Sequence, residues 1–559
     1  MMGTPGFLGT ERIERASWRE LERASGRLFT HTGWDRVSLV GGPGDHGADV
    51  LATSADREVV AQVKCKSKAE NKAGKRIVDD VKRAMEFYEV DEGLCITNSK
   101  LRDAARTRLE KLTREGYNIK VMQGAELLRR YESLPRWPNN DLEPYDYQKK
   151  PIERLLSLYR EGYGKALLSL ATGLGKTFVA GRFLRDIYSQ DPETRVLVLA
   201  DQTALIKQFD QSLWEHLPKD VSTHLWYSHE SPSYVGGVDL GTFQTLDNRD
   251  RFPAEKAEEY DIVIVDEAHH APANSYKRVL DHTNPEFTLG LTATPWRNDE
   301  RSLEHLFGPI REDLTIDVVE GLHEGYLTDV DYRLYCDNLD WKSIQQRSKK
   351  NYSIKDLNKR LFIQERDDEI VEEFKSVFEE SSTGRAILYC PSIPYAKRMA
   401  NHLRERGFGA RALHSDLADR EIEQRLRAFR RGKIEAITAV DLLNEGVDVP
   451  EVDIIVFLRV THSRRIFLQQ LGRGLRLAEG KDKVLVMDLV ADIRRIAEAI
   501  DINNEMRSRG EVEVMHENFR LEFNDQQAQS FFREYLADKA TISTQDGEDR
   551  IKFPPPDVA

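Results

Sequence analysis

The chain has 559 residues, 40% of them hydrophobic and 32% charged, and a formal net charge of −13. This length and balance predict roughly three to five domains with sizeable cores. The acidic surplus excludes attraction of nucleic acid by the molecule as a whole, so any such binding rests on local basic patches or on backbone contacts inside a cleft.

No apolar run is long enough to span a membrane, and the mixed charges Glu11, Arg12, Glu14 and Arg15 do not read as a signal peptide. Cys65, Cys95, Cys336 and Cys390 are far apart and form no C-x-x-C pair. That argues against structural zinc or a disulfide framework and fits a reducing cytoplasm.

A polar helix carrying Trp18, Glu20, Leu21 and Glu22 is followed by a glycine-rich stretch, residues 33–52, and a turn at 54–57. The next strand, 58–64, places Gln62 and Lys64 on one face by its period of two. Asp49, at the start of the preceding hairpin strand, lies near both. A carboxylate, an amide carbonyl and a lysine suit a Mg²⁺ site. Asp49 and Gln62 would hold the metal, and Lys64 would orient water or stabilise phosphorane charge. The run G-D-H-G-A-D at 44–49 and Q-V-K at 62–64 resemble the Mrr-like branch of the PD-(D/E)xK nuclease fold, in its D…Q-x-K variant. The strand 93–99, a helix near 104–115 and the strand 119–122 before 124–128 follow that family's order. The resemblance implies a further carboxylate from the first helix, either Glu20 or Glu22. The basic run from Lys64 to Arg83 is expected to meet phosphates. Residues 135–140 read as a linker.

Residues 166–178, A-L-L-S-L-A-T-G-L-G-K-T-F, predict a buried parallel strand, a glycine loop and a helix start. Gly173 and Gly175 let backbone N–H groups turn toward anionic oxygens, and the helix N-terminus adds partial positive charge. Lys176 is expected to supply charge to the β- and γ-phosphates of ATP, and the Thr177 hydroxyl can ligate Mg²⁺. The general pattern wants glycine at position 170, where this chain has Leu170. Residues 262–269, I-V-I-V-D-E-A-H, predict a buried strand ending in two carboxylates. Asp266 is expected to bind Mg²⁺ through water, Glu267 to polarise the attacking water, and His269 to link to the other lobe.

Further stretches complete a series. Tyr147-Gln148 precedes the phosphate loop, and residues 241–246, 291–297, 386–392, 412–416, 436–450 and 469–476 follow it. In that order they resemble the motifs of superfamily 2 helicases. The D-E-A-H and N-E-G-V-D-V-P forms look most like the motors of type III and type I restriction enzymes. The resemblance implies that Gln148 reads the adenine edge and that Asp448 helps bind nucleotide. It also implies that Thr242, Arg297, Ser392, His414 and Thr438 face nucleic acid. Arg473 and Arg476, three apart, are expected on one helical face, reaching the γ-phosphate as arginine fingers. Residues 338–382 read as a polar helical insertion, and 519–535 as a second helix of the tail, with Phe531, Phe532 and Tyr535 packing back.

The expected fold is α/β. An N-terminal restriction-endonuclease-like domain (1–137) precedes two RecA-like parallel-sheet lobes (142–325 and 326–495) and a short helical tail (496–559). The expected function is an ATP-dependent DNA helicase or translocase coupled to a Mg²⁺-dependent endonuclease in restriction or phage defence. Its substrate would be double-stranded DNA rather than RNA, with a restriction or defence partner subunit and no membrane. The alternatives are a repair helicase whose nuclease-like domain only binds DNA, and an ATP-gated nucleic-acid sensor that recruits a partner.

Overall fold

The structure is a computed structural model. It describes residues 6–10, 13, 17–41, 46–66, 71–140, 142–226, 237–247, 260–270, 278–280, 283–293, 300–335, 352–353, 367–440, 443, 452–459, 464–489, 493–509, 518–523, 542–543 and 550–551. Arg297, Asp448, Phe531, Phe532 and Tyr535 lie outside the described residues, as do 336–351 and 354–366 of the expected insertion.

The first sheet has the order β1 (Arg36–Leu39), β2 (Val50–Thr53), β3 (Glu58–Lys64), β4 (Glu92–Thr97), β5 (Asn118–Gln123). The first three strands are antiparallel and the last two join in parallel. β3 alternates as expected of a strand covered on both faces. Val59, Ala61 and Val63 pack with Leu21 and Leu28 of helix Trp18–His31, while Val60 packs with Ile77, Val78 and Val81 of helix Arg76–Tyr88.

The second sheet has the order β12 (Thr315–Ile316), β6 (Lys165–Leu170), β11 (Phe287–Thr292), β10 (Ile262–Val265), β7 (Val196–Ala200), β9 (Val238–Thr242), β8 (Thr223–Trp226), and every pair is parallel. The four side chains of β10 are fully buried, which is why that segment reads as an unbroken β-branched run. The third sheet is also parallel throughout. Its order is β16 (Ala410–Leu413), β17 (Ala436–Ala439), β15 (Ala386–Tyr389), β18 (Ile454–Phe457), β19 (Lys483–Asp488), β13 (Asp329–Leu334), β20 (Phe519–Phe523). The segment expected to open a second tail helix is therefore a strand at the sheet edge. Phe519 and Leu521 alternate into the core, and Asn503 of helix Ile493–Arg509 donates to the Phe519 carbonyl at 2.9 Å. The expected insertion contributes helix Asp367–Glu379 and the short strand β14 (Tyr352–Ser353). Among the described residues no helix is long and apolar enough to cross a membrane.

The N-terminal domain is seated on both lobes. Arg27 is 1% exposed, and its guanidinium donates to the carbonyls of Val221 (2.7 Å), Pro218 (2.8 Å) and Leu217 (3.2 Å) in the first lobe. Lys219 answers from the other side, its ammonium donating to Leu134, Glu132 and Tyr131 carbonyls at 2.6, 3.0 and 3.3 Å. Gly26 admits the Trp214 ring, which would stand 3.0 Å from an added Cβ. Burial and the neighbouring Arg27 lower the His31 pKa to about 2, so its imidazole stays neutral in this interface. On the second lobe, Arg427 and Arg431 both pair with Glu58, Arg427 also donates to the Tyr88 carbonyl, and Lys433 pairs with Glu89.

Arg27→Ala strands three buried carbonyls without a donor. It is expected to lower unfolding stability by about 3 kcal/mol in denaturant titration, since each unpaired group costs about 1–3 kcal/mol. Proteolytic nicking within 135–140 is expected to rise in the same variant.

Candidate functional site: a nucleotide cleft and a carboxylate-lined nuclease site

The cleft is built at the carboxyl ends of β6 and β10, where a parallel sheet presents ligand sites. β6 ends in Leu170, fully buried as the last strand residue, so the missing glycine is replaced by core packing before the loop begins. Gly173 (φ 102°) and Gly175 (φ 81°) hold the left-handed turns that lead into helix Lys176–Gln190. The Lys176 ammonium donates to the Leu170 carbonyl at 3.4 Å. Burial lowers its pKa, while Glu267 and Asp266 oppose that shift. Thr177 follows in the first turn of the helix, half-buried.

Asp266 and Glu267 follow β10 directly. Asp266 Oδ1 accepts from the Glu267 amide at 3.0 Å, and Glu267 has φ 47°, a left-handed conformation for a non-glycine residue. His269, 2% exposed, places Nδ1 3.2 Å from Glu267 Oε2 and 3.4 Å from Thr292 Oγ1. The acidic pair is thereby tied to the end of β11. Gln148 holds the phosphate loop from behind. Its Nε2 donates to the Leu174 carbonyl at 2.9 Å and its Oε1 accepts from the Tyr145 amide at 3.0 Å. Both ends of the amide expected to read adenine thus face backbone here. Tyr147 stacks between Tyr145 (5.6 Å) and Tyr326 (4.6 Å), a ladder the sequence showed only as scattered aromatics. Tyr145, 60% exposed, offers a flat face beside Gln148.

The second lobe reaches the same loop. Helix Arg464–Leu471 ends before Gly472, so Arg473 and Arg476 lie in the turn that follows it and do not share a helical face. The reason is steric. An added Cβ at Gly472 would stand 2.4 Å from Thr172 Cβ, so the chain turns where it presses on the phosphate loop. A Cβ at Gly173 would meet Arg476 Cγ at 3.3 Å. Arg473 and Arg476 both act electrostatically on Lys176, and burial lowers the Arg476 pKa. Three desolvated cations facing two carboxylates make a place for a polyphosphate anion, with Asp266 and Thr177 on hand for its Mg²⁺.

Other expected nucleic-acid residues have local structural partners. Thr242 caps helix Phe243–Leu246 and shares a 2.9 Å hydroxyl contact with Thr245. Exposed Ser392 caps helix Ile393–Glu405. Thr438 is fully buried, its hydroxyl donating to the Ala396 carbonyl at 2.8 Å. His414 is 2% exposed and follows β16.

In the N-terminal domain Asp49 is buried and accepts from the Val63 amide at 2.6 Å and from Gln62 Nε2. The carboxylates of Asp49 and Glu22 converge on Gly41. A Cβ there would stand 3.0 Å from Asp49 Oδ1 and 3.3 Å from Glu22 Oε2. Glu20 is turned away, closing a capping box with Ser17 at 2.7 and 3.2 Å. The geometry therefore selects Glu22 as the carboxylate of the first helix. Among the described residues no three His, Cys, Asp or Glu side chains converge on a metal position, and Gln62 turns its Nε2 to Asp49. Two carboxylates and an amide oxygen beside a side-chain-free glycine fit Mg²⁺, once Gln62 turns its oxygen inward. Lys64 lies 3.8 Å from buried Asp80, which also pairs with Arg76 and Arg83. Thr97 donates to the Lys64 carbonyl at 2.7 Å and so fixes the end of β3.

The fold and the cleft define a superfamily 2 helicase motor. Along the chain it resembles a restriction-enzyme res segment and a helicase C-terminal domain, preceded by a restriction endonuclease domain. The family model for the type III restriction enzyme res subunit matches residues 141–297, that for the helicase conserved C-terminal domain 365–478, and that for restriction endonuclease 13–131. A protein named "Putative mitochondrial ATP-dependent helicase irc3" from Schizosaccharomyces pombe is 26% identical over 390 residues, 65% of this chain and 61% of that protein. The type I restriction enzyme EcoAI endonuclease subunit of Escherichia coli is 22% identical over 373 residues, 61% of this chain and 45% of that protein. The solved structure of the ATP-dependent Type ISP restriction-modification enzyme LlaBIII bound to DNA shares the fold, with a TM-score of 0.53 at 15% identity, covering 90% of this chain and 40% of that one. The chain thus spans at most 61% of the length of these relatives.

Gly472→Ala forces the second lobe off Thr172. ATP turnover is expected to fall about 100-fold in a phosphate-release assay, the order of loss that a 1 Å misplacement brings, with nucleotide binding retained. Asp80→Asn frees Lys64 from its partner. Mg²⁺-dependent nicking is expected to fall at least tenfold, measured on supercoiled DNA, with ATP turnover unchanged.

Proposed function

We propose that this chain is an ATP-driven motor on double-stranded DNA that carries its own Mg²⁺-dependent endonuclease, working in the cytoplasm in restriction or phage defence. The observation that carries the reading is the seating of the Asp49, Glu22 and Gln62 site on a motor whose second lobe presses Arg473 and Arg476 onto the phosphate loop. Nucleotide binding neutralises the three gathered cations and draws the lobes together, and hydrolysis loosens them. Glu267, steered by His269, is positioned to take the proton of the attacking water. In the N-terminal domain Asp49, Glu22 and Gln62 would hold Mg²⁺, which supplies charge stabilisation to the phosphoryl centre when bound. Lys64 stands ready to orient the attacking water. Target choice is assigned to a partner subunit.

A second reading is favoured by the 3.8 Å contact of Lys64 with buried Asp80, an ion pair that a purely structural lysine would also make. The domain would then grip DNA without cutting it, as part of a repair helicase.

Supercoiled, linear and single-stranded DNA, and RNA, are incubated with and without ATP and Mg²⁺, and phosphate release and nicking are measured together. DNA-stimulated turnover lost in Lys176→Ala, with nicking lost in Lys64→Ala, is the expected result. Turnover without nicking in any metal condition would select the second reading, and stimulation by RNA alone would remove both.

A further inference from the structure

Helix Trp18–His31 presents different faces to different neighbours. Leu21, Ala24 and Leu28 pack into the core of the N-terminal sheet. Arg23, Gly26 and Arg27, at i, i+3 and i+4, share a face that meets the first lobe. Glu22 lies about 100° round the helix axis from Arg23, and its carboxylate converges with that of Asp49 on Gly41. A roll of the helix that moves Arg23 therefore moves Glu22 with it.

The lobe side of this helix fixes that roll. Arg23 Nε lies 3.9 Å from Asp210 Oδ2, and both side chains are buried. Asp210 stands on helix Thr203–Leu213 and accepts from Trp214 Nε1 at 3.1 Å. Burial raises the Asp210 pKa, and Arg23 is the foremost of the groups that oppose the rise. The Trp214 ring fills the notch at Gly26, where a glycine costs a helix interior about 1 kcal/mol relative to alanine. The glycine thus serves the ring rather than the helix. Two residues on, His216 enters a second notch, since an added Cβ at Gly181 of helix Lys176–Gln190 would collide with its imidazole. The segment 214–216 is thereby keyed to the nuclease helix on one side and to the helix that begins with Lys176 on the other. Asp49 and Gln62 are placed differently, by the sheet of their own domain, where the Val63 amide donates to Asp49 at 2.6 Å.

We infer that the first motor lobe completes the nuclease site: Asp210 and Trp214 are positioning residues that set the roll of helix Trp18–His31 and so hold the Glu22 carboxylate beside Asp49 at Gly41, where Mg²⁺ would bind. The inference rests on the proposed nuclease reading. Asp210 acts through Arg23, and Trp214 acts through the notch at Gly26. One carboxylate of the metal set is thus aimed by the motor and the other by the nuclease sheet, so metal affinity belongs to the assembled chain.

The probe is Mn²⁺ alone, titrated by calorimetry into the full, nucleotide-free chain, with Glu22→Gln marking the share of binding that belongs to the nuclease site. Asp210→Asn keeps the side chain's shape and the Trp214 bond while removing the charge opposite Arg23. Gly26→Ala narrows the notch from the other side of the seam, and its better helix propensity keeps the test alive if Asp210→Asn fails to fold. Each variant is expected to weaken Mn²⁺ binding at this site about tenfold, the lower end of the loss that follows a change behind a metal ligand. Nicking of supercoiled DNA is expected to need correspondingly more Mg²⁺ and to return toward the wild-type rate at saturation, with ATP turnover unchanged. A seat that only holds the domains together would lower the melting temperature and leave the metal midpoint where it is. Wild-type Mn²⁺ affinity in Gly26→Ala, with binding lost in Glu22→Gln, would overturn the inference and leave the nuclease reading intact. Mn²⁺ binding that Glu22→Gln does not alter would overturn the nuclease reading and the inference together.

Discussion

Three positive side chains that repel one another are held close together, and the cleft between the lobes is arranged around that frustration. Lys176, Arg473 and Arg476 come from two lobes, and each loses solvation where they meet. Asp266 and Glu267 offset only part of the excess. The approach is possible because Gly472 and Gly173 present backbone where any other residue would present a side chain. A polyphosphate is the ligand that balances such a gathering, and removing its terminal phosphate restores the repulsion.

The acidic pair is held as tightly as the cations. Glu267 keeps a strained backbone, and His269 links it to Thr292 at the end of the neighbouring strand. A change at Glu267 is thus felt at β11, the strand that leads into residues 293–297. Gln148 performs a similar service for the phosphate loop by fastening Leu174 to the start of helix Asp146–Arg160.

The sheets and the phosphate loop were legible because they depend on local pattern. The burial of β10 on both faces writes itself as four β-branched residues, and the glycine loop needs its two left-handed turns. Features set by distant partners were not legible. Arg27 looks like a surface residue of an amphipathic helix until the carbonyls of 217–221 close over it. The choice between Glu20 and Glu22 turns on Gly41, two elements away, while Ser17 engages Glu20 locally. The spacing of Arg473 and Arg476 suited a helix, but contact with Thr172 decided for a turn. Phe519 to Phe523 alternates too briefly to announce a strand before β13 supplies its partner.

The nuclease fold stands on two unlike feet. One is bonded through buried carbonyls to the first lobe, and the other joins the second lobe through ion pairs, of which Lys433–Glu89 is exposed while Arg427 is buried and also donates to the Tyr88 carbonyl. Of that second foot, the exposed Lys433–Glu89 pair is the part most open to salt, and the buried Arg427, bonded to Glu58 and the Tyr88 carbonyl, the part least so.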